Sequence, residues 1–169
     1  MTGPEMAALI SRELRTLERE LNAYRTEEQV WQLPAGLPNS GGTLALHAAG
    51  NLLHFIGAVL GGSGYVRDRD AEFQRRGVPR AELIEGLRHA DEVVRETLTR
   101  LDPARFVEPY PQAVANRRLS TGDFMGHLVA HLAYHAGQVD FHRRIVTGDA
   151  TGVGAVSPAE LSSARPIEV

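Results

Sequence analysis

The stretch Gly126–Asp140, GHLVAHLAYHAGQVD, sets three histidines, His127, His131 and His135, four residues apart among apolar residues. On an α-helix each four-residue step advances about 400°, so the imidazoles share one face about a turn apart. Neighbours in such a row can grip one metal ion, as the two histidines of H-E-x-x-H helices do. Phe124, Leu128, Leu132, Val139 and Val146 extend the inward-facing pattern to either side. Ser120 or Thr121 is placed to cap this helix, and Gly148 to end it.

Three further helices are legible upstream. The first, from Pro4 to Trp31, aligns Met6, Leu9, Leu14, Leu17, Leu21 and Tyr24 on one stripe, and Pro34, Gly36 and Pro38 close it. Asn39 or Ser40 caps a second helix that runs to about Leu60, where Gly61-Gly62-Ser63-Gly64 stops it. That helix is apolar nearly all round, so it should be the most buried. A polar connection from Tyr65 to Val78 leads to the third helix, Pro79 to Leu101, with Leu83, Leu87, Ala90, Val94 and Leu98 at helical spacing. Pro103, Pro109 and Pro111 keep the next connection irregular.

No segment alternates like a strand. The pattern predicts an all-α protein, a four-helix bundle with long connections after helices two and three. Residues 1–148 form the expected domain. Residues 149–169, rich in Gly, Ala, Ser and Pro, are expected as a flexible extension with at most one short turn near Pro158–Leu161.

Bulk composition excludes several classes. At 169 residues, the chain can bury a core without staples. Cysteine is absent, which removes disulfides, thiolate-bound zinc and a cysteine nucleophile, and fits a cytoplasmic protein. A formal charge of -3 makes no case for nucleic acid. The longest apolar stretch, Thr43 to Leu60, is broken by His47, Asn51 and His54, so no membrane span is expected.

A lone histidine on an apolar face is more often a hydrogen-bonded core residue than a ligand. Here, however, two core helices carry polar stripes: His47, Asn51 and His54 on the second, and Asp123, His127, His131, His135 and His142 on the fourth. Unpaired buried polar groups cost roughly 1–3 kcal/mol each, so the stripes need a shared purpose, and a metal supplies one. Rise per residue limits the site. His127 and His135 stand about 12 Å apart along the helix, and His47 and His54 about 10.5 Å. One ion therefore takes two neighbours from the fourth helix and one residue from the second. Spacing alone does not choose between His127/His131 and His131/His135.

Leu46–Leu52 (LHAAGNL), Arg67–Phe73 (RDRDAEF) and His131–Gln138 (HLAYHAGQ) together resemble the DinB/YfiT-like family of four-helix-bundle metalloproteins, over nearly the whole chain up to Gly148. The resemblance implies a divalent metal held by His47, His131 and His135. His127 then neighbours the site, and His54 lines the pocket or supports the ligands. Asn51, Gln138 and Arg144 are further candidates for those supporting roles. The resemblance also implies a homodimer, a small-molecule substrate, and transfer or isomerisation chemistry that uses a low-molecular-weight thiol. For Arg67-Asp68-Arg69-Asp70 it implies a structural role beside the bundle, through salt bridges.

Three neutral imidazoles leave coordination positions open for water, thiol or substrate, which is the arrangement of catalytic metal sites. All-nitrogen ligation suits zinc, nickel, iron or copper, and the expected ion is zinc, nickel or iron. Such an ion lowers the pKa of bound water toward 7, or that of a bound thiol. No general base is evident. Asp140 lies about 140° around the helix from His135 and should point away, and Asp123 suits the helix start. Protease chemistry is therefore disfavoured. Gln138 can hydrogen-bond a ligating group. Arg143 and Arg144 suit the helix end and solvent, with an anionic substrate as the alternative. His89 reads as exposed. The expected function is a metal-dependent enzyme of the thiol S-transferase or hydrolase type. The alternative is a non-enzymatic stress-related or ligand-binding bundle with a structural or vestigial metal.

Overall fold

A computed structural model describes residues 1–167. Thr2 starts α1 (Gly3–Asn22) with a reciprocal cap: its side chain accepts from the Glu5 amide while Glu5 accepts from the Thr2 amide. Met6, Ile10, Leu14, Leu17 and Leu21 form its buried stripe. The helix does not continue to Trp31 as the periodicity suggests. Thr26 adopts an extended conformation (φ -135°, ψ 162°) and caps a separate short helix, α2 (Glu27–Trp31). Local capping thus outcompetes continuation, and the break turns Tyr24 into the core, where it is 2% exposed.

Ser40 caps α3 (Gly41–Leu52) by accepting from the Thr43 amide. The two glycines that open this helix are needed for close approach. A Cβ on Gly41 would collide with the Tyr24 hydroxyl, and one on Gly42 would lie 2.6 Å from the Trp31 ring. The helix passes directly into a π-helical segment, Leu53–Ala58, in which the Val59 amide reaches back to the His54 carbonyl. Tyr110 donates to the Phe55 carbonyl at 2.7 Å within this segment. The sequence carries no signal for the widening.

The connection from Tyr65 to Val78 contains a short helix, α4 (Arg69–Gln74), capped by Asp68. Then α5 (Arg80–Arg100) buries Leu83, Leu87, Ala90, Val94 and Leu98, the stripe expected from spacing. A 3-10 turn, Pro103–Phe106, begins the next connection. Isolated antiparallel bridges, Pro109 to Ser120 and Val114 to Arg117, hold that connection together. Finally α6 (Thr121–Thr147) is capped by Ser120 and ends at Gly148 in the left-handed region (φ 68°).

The architecture is all-α, and no strand occurs among the described residues. The four longest helices touch in the cyclic order α1, α5, α3, α6, with α4 laid against α3. The core fills the space between them, with Ile10, Leu17, Leu52, Leu87, Leu128 and Val139 at its centre. None of the described helices is long and apolar enough to cross a membrane. After Gly148 the chain folds back. Arg143 donates to the carbonyls of Asp149 and Thr151, and Arg15 and Arg19 of α1 pair with Glu160, which lies in a 3-10 turn at Pro158–Glu160.

Candidate metal centre

Packing of α3 against α6 brings His47 opposite His131 and His135. One ligating nitrogen from each can be chosen so that all three lie within 4.8 Å of one another. Ring centroids are 5.3 Å apart for His47–His131, 5.0 Å for His47–His135 and 4.4 Å for His131–His135. The planes cross at 78°, 89° and 86°, so the three rings do not stack but turn their edges toward one another. Nε2 of His131 and Nε2 of His135 stand 3.0 Å apart. Two nitrogens bound to one zinc at about 2.0–2.1 Å in tetrahedral geometry would lie about 3.3 Å apart. The separation is that of a hydrogen bond between the two rings and lies close to what a shared cation would need.

The outer nitrogens have fixed partners. His47 Nδ1 lies 2.9 Å from Glu72 Oε2, and His135 Nδ1 lies 2.7 Å from Gln138 Oε1. Burial alone would raise the Glu72 carboxyl, but hydrogen bonds from Arg67 and His47 outweigh it and hold the pKa below the usual range. His47 Nδ1 also lies 3.3 Å from a terminal nitrogen of Arg67, but the Glu72 oxygen is nearer. An ionised carboxylate and an amide oxygen only accept, which favours the proton on Nδ1 of both histidines and leaves the Nε2 lone pair for the interior. Burial lowers the His131 pKa to about 4, helped by the charges His135, His47 and His127 would carry and by Arg67. Burial likewise lowers that of His135, against a raising effect of the Gln138 bond. Both rings are thus neutral at pH 7, as ligation requires.

The surroundings are mixed. The Phe73 ring lies 4.8 Å from that of His47, and the Arg67 guanidinium stands 5.6 Å above Phe55 while gripping Glu72 with two nitrogens at 2.7 and 2.8 Å. His47 is buried, whereas His131 and His135 are partly exposed, so the cluster opens to one side. Residues in these positions can hold one ion and leave it accessible.

The other residues singled out in the sequence separate. His127 is exposed and stacks between Phe124 and His131, each 5.9 Å away between centroids. Asn51 is buried on the same face of α3 as His47. His54 Nε2 meets Gln112 at 3.1 Å while its Nδ1 is buried without a partner, and burial, with Arg67 nearby, lowers its pKa. Arg144 is turned away. It pairs with Asp140 at 2.9 Å and donates to the Ala150 carbonyl, about 180° around α6 from His135. Arg143 is neither a surface residue nor an anion-binding one. It is 1% exposed and bonds Glu20 at 2.8 Å, because α1 and the returning chain after Gly148 cover the end of α6. His142 is a saturated core histidine, with the Gln32 carbonyl on Nε2 at 2.7 Å and the Tyr24 hydroxyl on Nδ1 at 2.6 Å.

Glu72 is the residue that sequence reasoning missed. It sits two residues after the charged run Arg67–Asp70, in the connection read as polar. Glu72 falls within the Arg67–Phe73 stretch that carries the resemblance. A second trace is Gly50, a glycine inside a helix three residues after His47, where a helix normally avoids one unless something approaches closely.

Fold and site together define an all-helical protein with a three-histidine cluster fit to hold a metal ion. The chain belongs to the family described as "Protein of unknown function (DUF1572)", whose model matches residues 5–156 and so covers the whole cluster. No curated protein and no solved structure matches it.

Proposed function

We propose that this chain is a four-helix-bundle metalloprotein of the DinB/YfiT-like type that acts as a metal-dependent enzyme of the thiol S-transferase or hydrolase type. In this reading His47, His131 and His135 hold one divalent ion. The observation that carries it is the convergence of three imidazoles from two helices, two of them with the outer nitrogen already committed to an acceptor. The cyclic contact of the four long helices supports the bundle. When bound, a divalent ion in such a site lowers the pKa of a coordinated water or thiol, and so provides a nucleophile that a cysteine-free chain lacks. The protein's own contribution is placement: Glu72 and Gln138 hold protons on the outer nitrogens, and burial keeps His131 unprotonated.

The test is metal analysis of protein purified without a polyhistidine tag, followed by turnover assays of thiol cofactors against electrophiles. About one equivalent of a divalent metal per chain, much weaker binding in His131→Ala, and turnover lost on chelation are expected. Protein that retains no metal, with His131→Ala binding Zn(II) as tightly as the unaltered chain, would overturn the reading.

A further inference from the structure

The metal centre is completed from a helix that belongs to neither α3 nor α6. Glu72 lies on α4, a six-residue helix in the connection after the π-helical segment, yet it is 6% exposed and reaches His47 from 25 positions further along the chain. Two features show that this reach is built into the fold. A Cβ on Gly50 would collide with Glu72 Oε1 and lie 2.8 Å from its Cδ, so α3 is hollowed at the point where the carboxylate enters. On the other side, Arg67 binds both oxygens of Glu72, Oε1 through Nε at 2.7 Å and Oε2 through a terminal nitrogen at 2.8 Å. The carboxylate is thus clamped in one orientation, with Oε2 on His47 Nδ1.

We propose that Glu72 is the positioning residue of the metal centre: carried in by α4, seated over Gly50 and clamped by Arg67, its carboxylate fixes the His47 proton on Nδ1 and aims Nε2 at the ion. This inference rests on the metal reading above. A histidine free to rotate or to exchange tautomers must lose that freedom on binding, whereas His47 has lost it already. The carboxylate also makes the imidazole a better donor, and Arg67 keeps the carboxylate from needing a proton of its own. His135 has a weaker equivalent in Gln138 on its own helix. His47, the single ligand from α3, depends on a distant segment.

The experiment measures Zn(II) affinity by competition with a chromogenic chelator for the full chain, Glu72→Gln, His47→Ala and the double variant. Glu72→Gln is expected to bind Zn(II) about 10–100-fold more weakly than the unaltered chain. In the His47→Ala background the same change should have little further effect, because the route through His47 is gone. Equal losses in both backgrounds mean that Glu72 acts only through general structure, and they overturn the proposal, as does unchanged affinity in Glu72→Gln. In either case Zn(II) bound by the unaltered chain leaves the metal reading standing. A chain that binds no Zn(II) ends both. A second measurement needs no variant. Long-range ¹H–¹⁵N correlation spectra of the metal-free protein should show His47 in the Nδ1–H tautomer, and the Nε2–H tautomer would overturn the inference even if Glu72→Gln fails to fold.

Discussion

One helix, α6, carries two polar clusters that follow opposite rules. Towards its C-terminal end, Arg143 meets Glu20, Asp140 and two backbone carbonyls, while His142 donates to Gln32 and accepts from Tyr24. Nearly every donor there has an acceptor, and the cluster closes on itself. About two turns earlier, His131 and His135 join His47, with the outer nitrogens of His47 and His135 satisfied by Glu72 and Gln138 and the inner ones facing a common point. Residue types and helical spacing hardly distinguish the two. The balance of donors and acceptors does. The first cluster matches its donors, with Glu20 Oε1 the one buried atom left without a partner, and it holds the fold together. The second turns ring nitrogens toward a common point, where they could hold a cation.

The contrast can be broken from its closed side first. Arg143→Ala leaves Glu20, which is fully buried, with its charge uncompensated, and should lower unfolding free energy in urea by about 3–5 kcal/mol. Metal stoichiometry of the folded fraction should be unaffected. Loss of metal in that variant would show that the two clusters are coupled. From the open side, His131→Ala should weaken Zn(II) binding by more than about 100-fold, beyond the loss typical for an outer partner of a ligand, while the metal-free protein stays folded.

A smaller effect is expected for His142→Phe. It strands the Tyr24 hydroxyl and the Gln32 carbonyl and should cost about 1–3 kcal/mol, read by urea denaturation, again with Zn(II) affinity retained. The smallest effect is a pH slope. Burial lowers the pKa of His142, His131, His135 and His54 in the fold, relative to about 6.5 in the unfolded chain. Below that value the unfolded chain binds more protons than the folded one. Stability of the metal-free protein is therefore full above about pH 6.5 and declines as pH falls from there towards 5. Urea midpoints across that range should show the decline, and His142→Phe should flatten part of it. A flat profile would contradict the buried, neutral state of these rings.

Much of this organisation is legible in the residues. The stripes of α5 and α6, and the caps at Ser40, Ser120 and Gly148, follow from periodicity and capping chemistry. The break at Thr26 is harder to see, because the apolar stripe of α1 runs on to Tyr24 and only the cap geometry shows that the helix has ended. The π-helical segment has no signature in Leu53–Ala58. Arg143 looked like a helix-end surface residue because what covers it, α1 and the segment after Gly148, is remote or irregular.

The sequence by itself determined which side chains share a helix face, and through the fixed rise per residue it showed that the row His127, His131 and His135 cannot bind one ion as a set. Spacing left two pairs from that row equally eligible. The tertiary structure sets His47 against His131 and His135, leaves His127 exposed, and brings Glu72 in over Gly50. The reason is physical. Helical phase is a local property, set by backbone geometry over a few residues. The level at which one helix meets another, and what enters the space between them, depends on packing across the whole chain.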